Sequence, residues 1–364
     1  MTAPADGTEP ADGAATVRFG AIANPTDHGW YREWVTIAED AGFALLATGD
    51  SQSLWSDPFV TLTVGASVSR SARLAITVSN PRTRHPAVVA SALTALRKLT
   101  GGRVVFGVGS GDSALRNIGI RQAPVAEVGE FAQAVRRLCA GEEITWQGAR
   151  AAVRWASGAV PIWIAAEGPR TQYLAGQIAD GVLLSNALHP AALDSALRQI
   201  GAGASAAGRS LADIEIWCMA AMCFAETQVA AIRRLRAILA GTANHVYRGD
   251  AAAKGVPAEL LPALSALREH YDSRHHASPA TAEHNARLVE DLGLLEFLAE
   301  RSVIAGPPER CVERITELGR LGIRNVLVHH QANDPIEFME TFRSSVAPFL
   351  PLVPSGVAGR VAQA

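Results

Sequence analysis

Short apolar runs of strand length alternate with helical segments through most of this chain, and that alternation restricts the fold more than any other feature. The runs cover residues 17–23, 44–48, 74–78, 103–107, 161–165, 181–184, 214–222 and 324–328. Helices are predicted over 30–41, from Asp57-Pro58 onward, and over 86–99, 125–140, 171–178, 190–206 and 335–349. Asp57 reads as an N-cap with Pro58 in the first turn. Eight strands alternating with helices predict a parallel (β/α)8 TIM barrel. The alternative, a doubly wound open sheet, usually carries a dinucleotide fingerprint after its first strand. Here that strand runs into Asn24-Pro25-Thr26-Asp27, which is no phosphate loop. Two insertions are expected. Residues 141–157, with Thr145, Trp146, Val153 and Trp155 around Gly148, read as a small hairpin after strand four. Residues 226–322 read as mostly helical, so an insertion over about 241–300 separates strands seven and eight.

With 364 residues, 48% of them hydrophobic, the chain can bury a large core, and one barrel domain is expected over 16–350. Residues 1–15 are rich in Ala, Gly, Pro and acid and read as a disordered tail, not a signal peptide; 351–364 read as a flexible tail. A net charge of −2 with scattered Lys and Arg argues against a nucleic-acid partner. No apolar run approaches the roughly 20 residues of a membrane helix. Cys139, Cys218, Cys223 and Cys311 show no metal or redox spacing, which points to buried reduced thiols in a cytoplasmic protein.

Barrel chemistry gathers at the C-terminal ends of the strands. Residues 104–119 join such an end to a helix, with Gly107, Gly109 and Gly111 at alternate positions before Asp112 and Ser113. Glycines there let a flat ring or a phosphate approach the backbone, or merely serve a tight turn. The other ends bring Asp50-Ser51, then Thr77-Val78-Ser79 with Arg84 and His85, residues 165–170, Ser185-Asn186 and His329-His330-Gln331. Asp50 and Asp112 are candidates for proton transfer or for hydrogen-bonding a cofactor; helix capping is the competing role, above all for Asp112. Ala165, Ala166, Glu167, Gly168 and Arg170 form a small-residue turn into a helix, suited to a phosphate or simply an ordinary turn. His329 and His330 should face opposite ways on their strand, and no acid or thiol lies at ligand spacing, so no metal site is expected. His275-His276 read as surface residues, and no nucleophilic triad stands out.

The segments GDSQSLWSDPFVTL, ITVSNPRTRHPAVVASALTALRKLTGGRVVFGVGSGDSALRNIG and VPIWIAAEGPRTQYLAGQIADGVLL resemble the bacterial luciferase-like superfamily. They are most similar to its branch that uses the deazaflavin coenzyme F420, including methylenetetrahydromethanopterin reductase. The resemblance covers residues 17–225 well and 300–350 more loosely. It implies a (β/α)8 barrel with a reduced flavin or deazaflavin at the strand ends. It implies Asp50 beside the ring, a non-prolyl cis peptide at Thr77-Val78 next to Ser79, Gly111 and Asp112 at the acidic position, and the backbone of Ala165, Ala166, Glu167 and Gly168 around the phosphate. Ser51 stands where the sugar-phosphate dehydrogenases of the branch carry a catalytic His, which argues against glucose-6-phosphate as substrate. The implied activity is hydride transfer between F420 and a small organic substrate. The alternatives are a two-component monooxygenase using reduced FMN and O2, and a non-enzymatic barrel subunit. A homodimer and a separate flavin or F420 reductase are the partners implied.

Overall fold

The computed structural model describes residues 16–156, 158–272, 283–330 and 332–351. The expected tails at 1–15 and 351–364, apart from Pro351, and His275-His276 lie outside the described residues. The strands are β1 Arg18–Ile22, β2 Leu45–Thr48, β3 Arg73–Ser79, β4 Val104–Val108, β5 Ile144–Trp146, β6 Ala149–Ala151, β7 Ile162–Ala165, β8 Gly181–Leu184, β9 Glu215–Phe224, β10 Val303–Gly306 and β11 Asn325–His329. Eight of them close a parallel barrel in the order β1-β2-β3-β4-β7-β8-β9-β11, with β11 returning to β1. The barrel and both insertions are those expected. β5 and β6 form the antiparallel hairpin after strand four.

The described helices are α1 Tyr31–Asp40, α2 Pro58–Ala66, α3 Pro86–Leu99, α4 Ser113–Arg116, α5 Val125–Cys139, α6 Pro169–Ile178, α7 Pro190–Ala206, α8 Gln228–Arg234, α9 Arg236–Val246, α10 Leu261–His270, α11 Glu283–Asp291, α12 Leu295–Ser302, α13 Pro308–Arg320 and α14 Pro335–Ser345. Asp57 caps α2 as predicted, accepting from the N–H of Phe59 at 2.9 Å. None of these helices is long and apolar enough to cross a membrane. One element was not anticipated in the mostly helical stretch over 226–322. The apolar run Val303–Gly306 is β10, which pairs in parallel with Ala221–Phe224 of β9, beyond the point where β8 ends. β9, at 10 residues, is long enough to serve both neighbours on one side. Around that extension α9, α10, α11 and α12 pack a second apolar cluster that includes Leu239, Leu267, Val289 and Leu298.

The barrel interior is filled, as a small barrel requires. Ile22, Leu45, Val105, Trp163, Leu183, Trp217 and Leu327 point inward, with the two Trp rings 5.7 Å apart. At the N-terminal end Arg73 makes a two-pronged pair with Glu215 (2.7 and 3.2 Å), and Trp217 Nε1 donates to the same carboxylate at 3.1 Å. Arg18 donates to Asn325 across the neighbouring strands. That end is plugged by ion pairs and indoles, so the open end is the one that carries the strand C-termini.

Candidate active site at the barrel mouth

After β2 the chain turns through Gly49, whose N–H donates to Asn24 Oδ1 at 2.7 Å. Asp50 follows, and its carboxylate is 1% exposed. Ser79 Oγ donates to Asp50 Oδ2 at 2.6 Å, Arg84 pairs with that same oxygen, and the other arm of Arg84 reaches Asp57 at 2.6 Å. Asp50 Oδ1 is buried with no partner. Asp50 is therefore no helix cap; it is a fixed carboxylate with one oxygen committed and one free. Ser51, also buried, meets Ser113 hydroxyl to hydroxyl at 2.9 Å, and Gln52 donates to the Ala114 carbonyl at 2.7 Å. The β2 and β4 loops are thus stitched together.

The peptide Thr77-Val78 is cis, as the resemblance implied. The β3–β4 register shifts between Ile76 and Ser79, and Val78 packs against the inner cluster of the barrel. The alternate glycines of β4 have a different purpose from the one expected. A Cβ on Gly107 would stand 2.8 Å from Val78 Cγ1 and 2.6 Å from the Ile76 carbonyl, and one on Gly109 would stand 3.1 Å from Val78 Cγ2. The room they leave is filled by the bulge of β3, not kept for a ring or a phosphate. Gly111 does serve its turn, with φ of +81°.

Asp112 precedes the four-residue α4 but makes no capping hydrogen bond, so the capping role does not hold. Its Oδ1 pairs with Arg116 and accepts from Arg248 Nη1 at 2.8 Å; its Oδ2 lies 3.6 Å from His245 Nδ1. Burial pushes this carboxyl up, but the imidazole and the guanidinium beside it win and hold it well below the usual carboxylate range. His245 and Arg248 belong to α9 and the residues after it, in the second insertion.

After β7, the neighbour of β4 in the barrel, residues 165–168 turn into α6 with extended backbone at Gly168 (φ −126°). A Cβ there would touch only Lys254 Cε, at 3.8 Å. Glu167 Oε1 accepts from the Ser185 N–H at 3.0 Å, while its Oε2 is buried and unpartnered. Lys254 Nζ donates to the carbonyls of Val246 and Arg248 at 2.6 and 2.7 Å, and burial lowers its pKa. Arg170 is exposed on the first turn of α6. Thus four buried polar atoms without protein partners, Asp50 Oδ1, Thr77 Oγ1, Asn80 Nδ2 and Glu167 Oε2, share this end of the barrel. Each unmet buried group costs about 1–3 kcal/mol, and a polar ligand seated in the mouth would meet them. The residues therefore fit a bound cofactor.

A family profile described as luciferase-like monooxygenase matches residues 18–325. The chain belongs to the luciferase-like monooxygenase family. It is 30% identical over 309 residues to 5,10-methylenetetrahydromethanopterin reductase of Methanolobus tindarius, covering 81% of this chain and 88% of that relative. It is 26% identical over 356 residues to the F420-dependent glucose-6-phosphate dehydrogenase of Microbacterium testaceum, covering 92% and 97%. The coenzyme F420 dependent tetrahydromethanopterin reductase structure from Methanopyrus kandleri superposes with a TM-score of 0.72 at 25% identity, covering 92% of this chain and 100% of that one.

Within this luciferase-like barrel the two adjacent histidines diverge, as their alternation predicted. His329 follows the inward Leu327 by two and stands half-buried at the mouth, its pKa pushed down to about 4 by desolvation. His330 turns outward; its Nε2 accepts from Trp34 Nε1 at 3.1 Å, and its ring stacks on Phe338 at 4.7 Å. Two groups of site residues escaped the sequence reading. Arg84 lay in the loop after strand three with no role assigned, although its neighbours Asp50 and Asp57 supplied the charge it needed. His245, Arg248 and Lys254 sit in a helical insertion with no distinctive spacing, and only the fold brings them to the mouth.

Proposed function

We propose that this protein is an oxidoreductase that transfers a hydride between coenzyme F420 and a small organic substrate. The observation that carries this reading is the extent of the match: the Microbacterium testaceum and Methanopyrus kandleri relatives, whose names specify F420, each correspond to 92% of this chain. When bound, F420 supplies two-electron hydride chemistry without activating O2. Asp50, oriented by Ser79 and Arg84, would hold the ring together with Thr77 and Val78, and Gly111 and Asp112 would border it. Ser51 would act as a positioning residue through Ser113. The backbone of Ala165, Ala166, Glu167 and Gly168, with Arg170, would receive the phosphate at the start of α6. Four free, buried cysteines support a cytoplasmic setting. Val60 on α2 and Val88 on α3, both more than half exposed, are suited to a homodimer contact. A separate F420 reductase would renew the reduced coenzyme.

Titrating the purified protein with F420 and with FMN, each oxidised and reduced, tests the reading. F420 is expected to bind at least tenfold more tightly; tighter FMN binding would move the protein to the monooxygenase side of its family. Gly168→Asp tests the phosphate turn. A Cβ there meets nothing closer than 3.8 Å and the backbone is extended, so the thermal transition should stay nearly unchanged, while the added charge should weaken F420 binding by about tenfold or more. Equal affinity in the variant would remove residues 165–170 from the cofactor site.

A further inference from the structure

The insertion and the β4 loop meet at a single carboxylate, and they divide its oxygens. Arg116 and Arg248 take Asp112 Oδ1, which leaves Oδ2 to the imidazole of His245. The 3.6 Å separation is too long for a hydrogen bond but within ion-pair reach. His245 Nδ1 is buried and has no other partner, yet the side chain as a whole is 39% exposed. One ring nitrogen is thus sealed against Asp112, while the side chain keeps exposed surface away from that nitrogen.

We propose that His245 gives and takes the substrate proton at the barrel mouth, with Asp112 as its positioning residue. The inference rests on the hydride-transfer reading. A carboxylate opposite Nδ1 selects the Nδ1–H tautomer, leaves Nε2 as the working atom and compensates the imidazolium when it forms. Asp112 is itself unsuited to carry the proton, since neighbouring cations hold it ionised. Arg116 and Arg248 are permanent cations. Tyr271, after α10 and in the field of Asp112, Arg116, Arg248 and Asp272, has its hydroxyl pushed up to about 12 by burial. Of the side chains that meet Asp112, the imidazole is the one that can both accept and donate a proton through its far nitrogen. With a carbonyl compound as the oxidised substrate, the carbon–oxygen π bond breaks as the hydride reaches carbon, and its electron pair moves to oxygen. That oxygen takes the proton from Nε2, and imidazolium becomes imidazole. In the reverse direction the Nε2 lone pair takes the hydroxyl proton as the hydride leaves the carbon. Half exposure lets solvent restore the ring.

Two measurements test this. In the cofactor-free protein, nitrogen NMR of the neutral His245 ring, assigned with the His245→Gln variant, should show the Nδ1–H tautomer, and Asp112→Asn should shift it toward Nε2–H. The same tautomer in both proteins would overturn the pairing. In the F420-loaded enzyme, His245→Gln should lower kcat by about 10²-fold. KM and the F420 dissociation constant should stay within about threefold. Unchanged kcat with F420 bound would overturn the role of His245. Failure of F420 to bind the wild-type protein would instead strike the functional reading, and the tautomer measurement would then decide the Asp112–His245 pair on its own.

Discussion

At the scale of single residues, Asp112 separates chemistry from architecture. Asn has nearly the same shape, so Asp112→Asn keeps the packing and removes the charge on which Arg116, Arg248 and His245 converge. Turnover is expected to fall by about 10²-fold, with F420 affinity changed by less than about threefold. Full activity in the variant would leave Asp112 a structural anchor only. Because the carboxyl is held below the ordinary range, its ionisation should leave no step in the pH–rate profile above about pH 4. Asp50 and Asp112 could both be read as site acids from their position after a strand. What could not be read is what surrounds each of them. Ser79 and Arg84 lie in another loop, and His245 and Arg248 are more than a hundred residues beyond Asp112. The glycines of β4 were recognisable as close-approach positions, but the occupant of their space, Val78, follows only from the register of β3 against β4.

At the scale of elements, α1 is tied to β3 by a buried acid. Glu39, in the last turn of α1, accepts from the N–H groups of Arg70, Ser71 and Ala72 at 2.8–3.0 Å and from Ser69 Oγ at 2.8 Å. Burial pushes the carboxyl up, but these donors outweigh it and its pKa lies below the usual value. A depressed carboxyl stabilises the fold above its unfolded pKa, about 4.3, and that contribution is lost as pH falls through the folded value. Glu39→Gln should cost about 2 kcal/mol at pH 7 by denaturant titration, with the gap to wild type closing below about pH 4. A gap that persists in acid would assign the loss to packing instead. The barrel elements were legible because their apolar runs are bounded by clear turn and cap signals, as at Asp57-Pro58. β10 was not. Four apolar residues between two helices are too short to show a period, and what makes them a strand is the free side of β9 beyond β8.

For the whole molecule, acid acts first through imidazoles. Desolvation pushes His329 down to about 4, and His330 down to about 3 with the help of its neighbour. Their folded pKa values lie below the unfolded value near 6.5, so the native state holds them neutral and the unfolded chain takes up the protons. Their contribution is complete above about pH 6.5 and declines as pH falls toward 3, at up to about 1.4 kcal/mol per pH unit for each. The double variant His329→Asn, His330→Asn should be less stable than wild type at pH 7, through the lost Trp34 contact, yet show a flatter decline between pH 6.5 and 4 in denaturant titrations. Equal slopes would mean that neither ring is neutral in the fold.

The plug of Arg73, Glu215 and Trp217 also bears on traffic. A site at the mouth of a barrel that is packed within and sealed at its base has one doorway, and everything that reacts there must use it in both directions. Whatever rests deepest arrives first and departs last, and whatever sits at the rim blocks the way out for what lies beneath. Turnover in such a cul-de-sac follows a queue, with the outer guest leaving before the inner one can be exchanged.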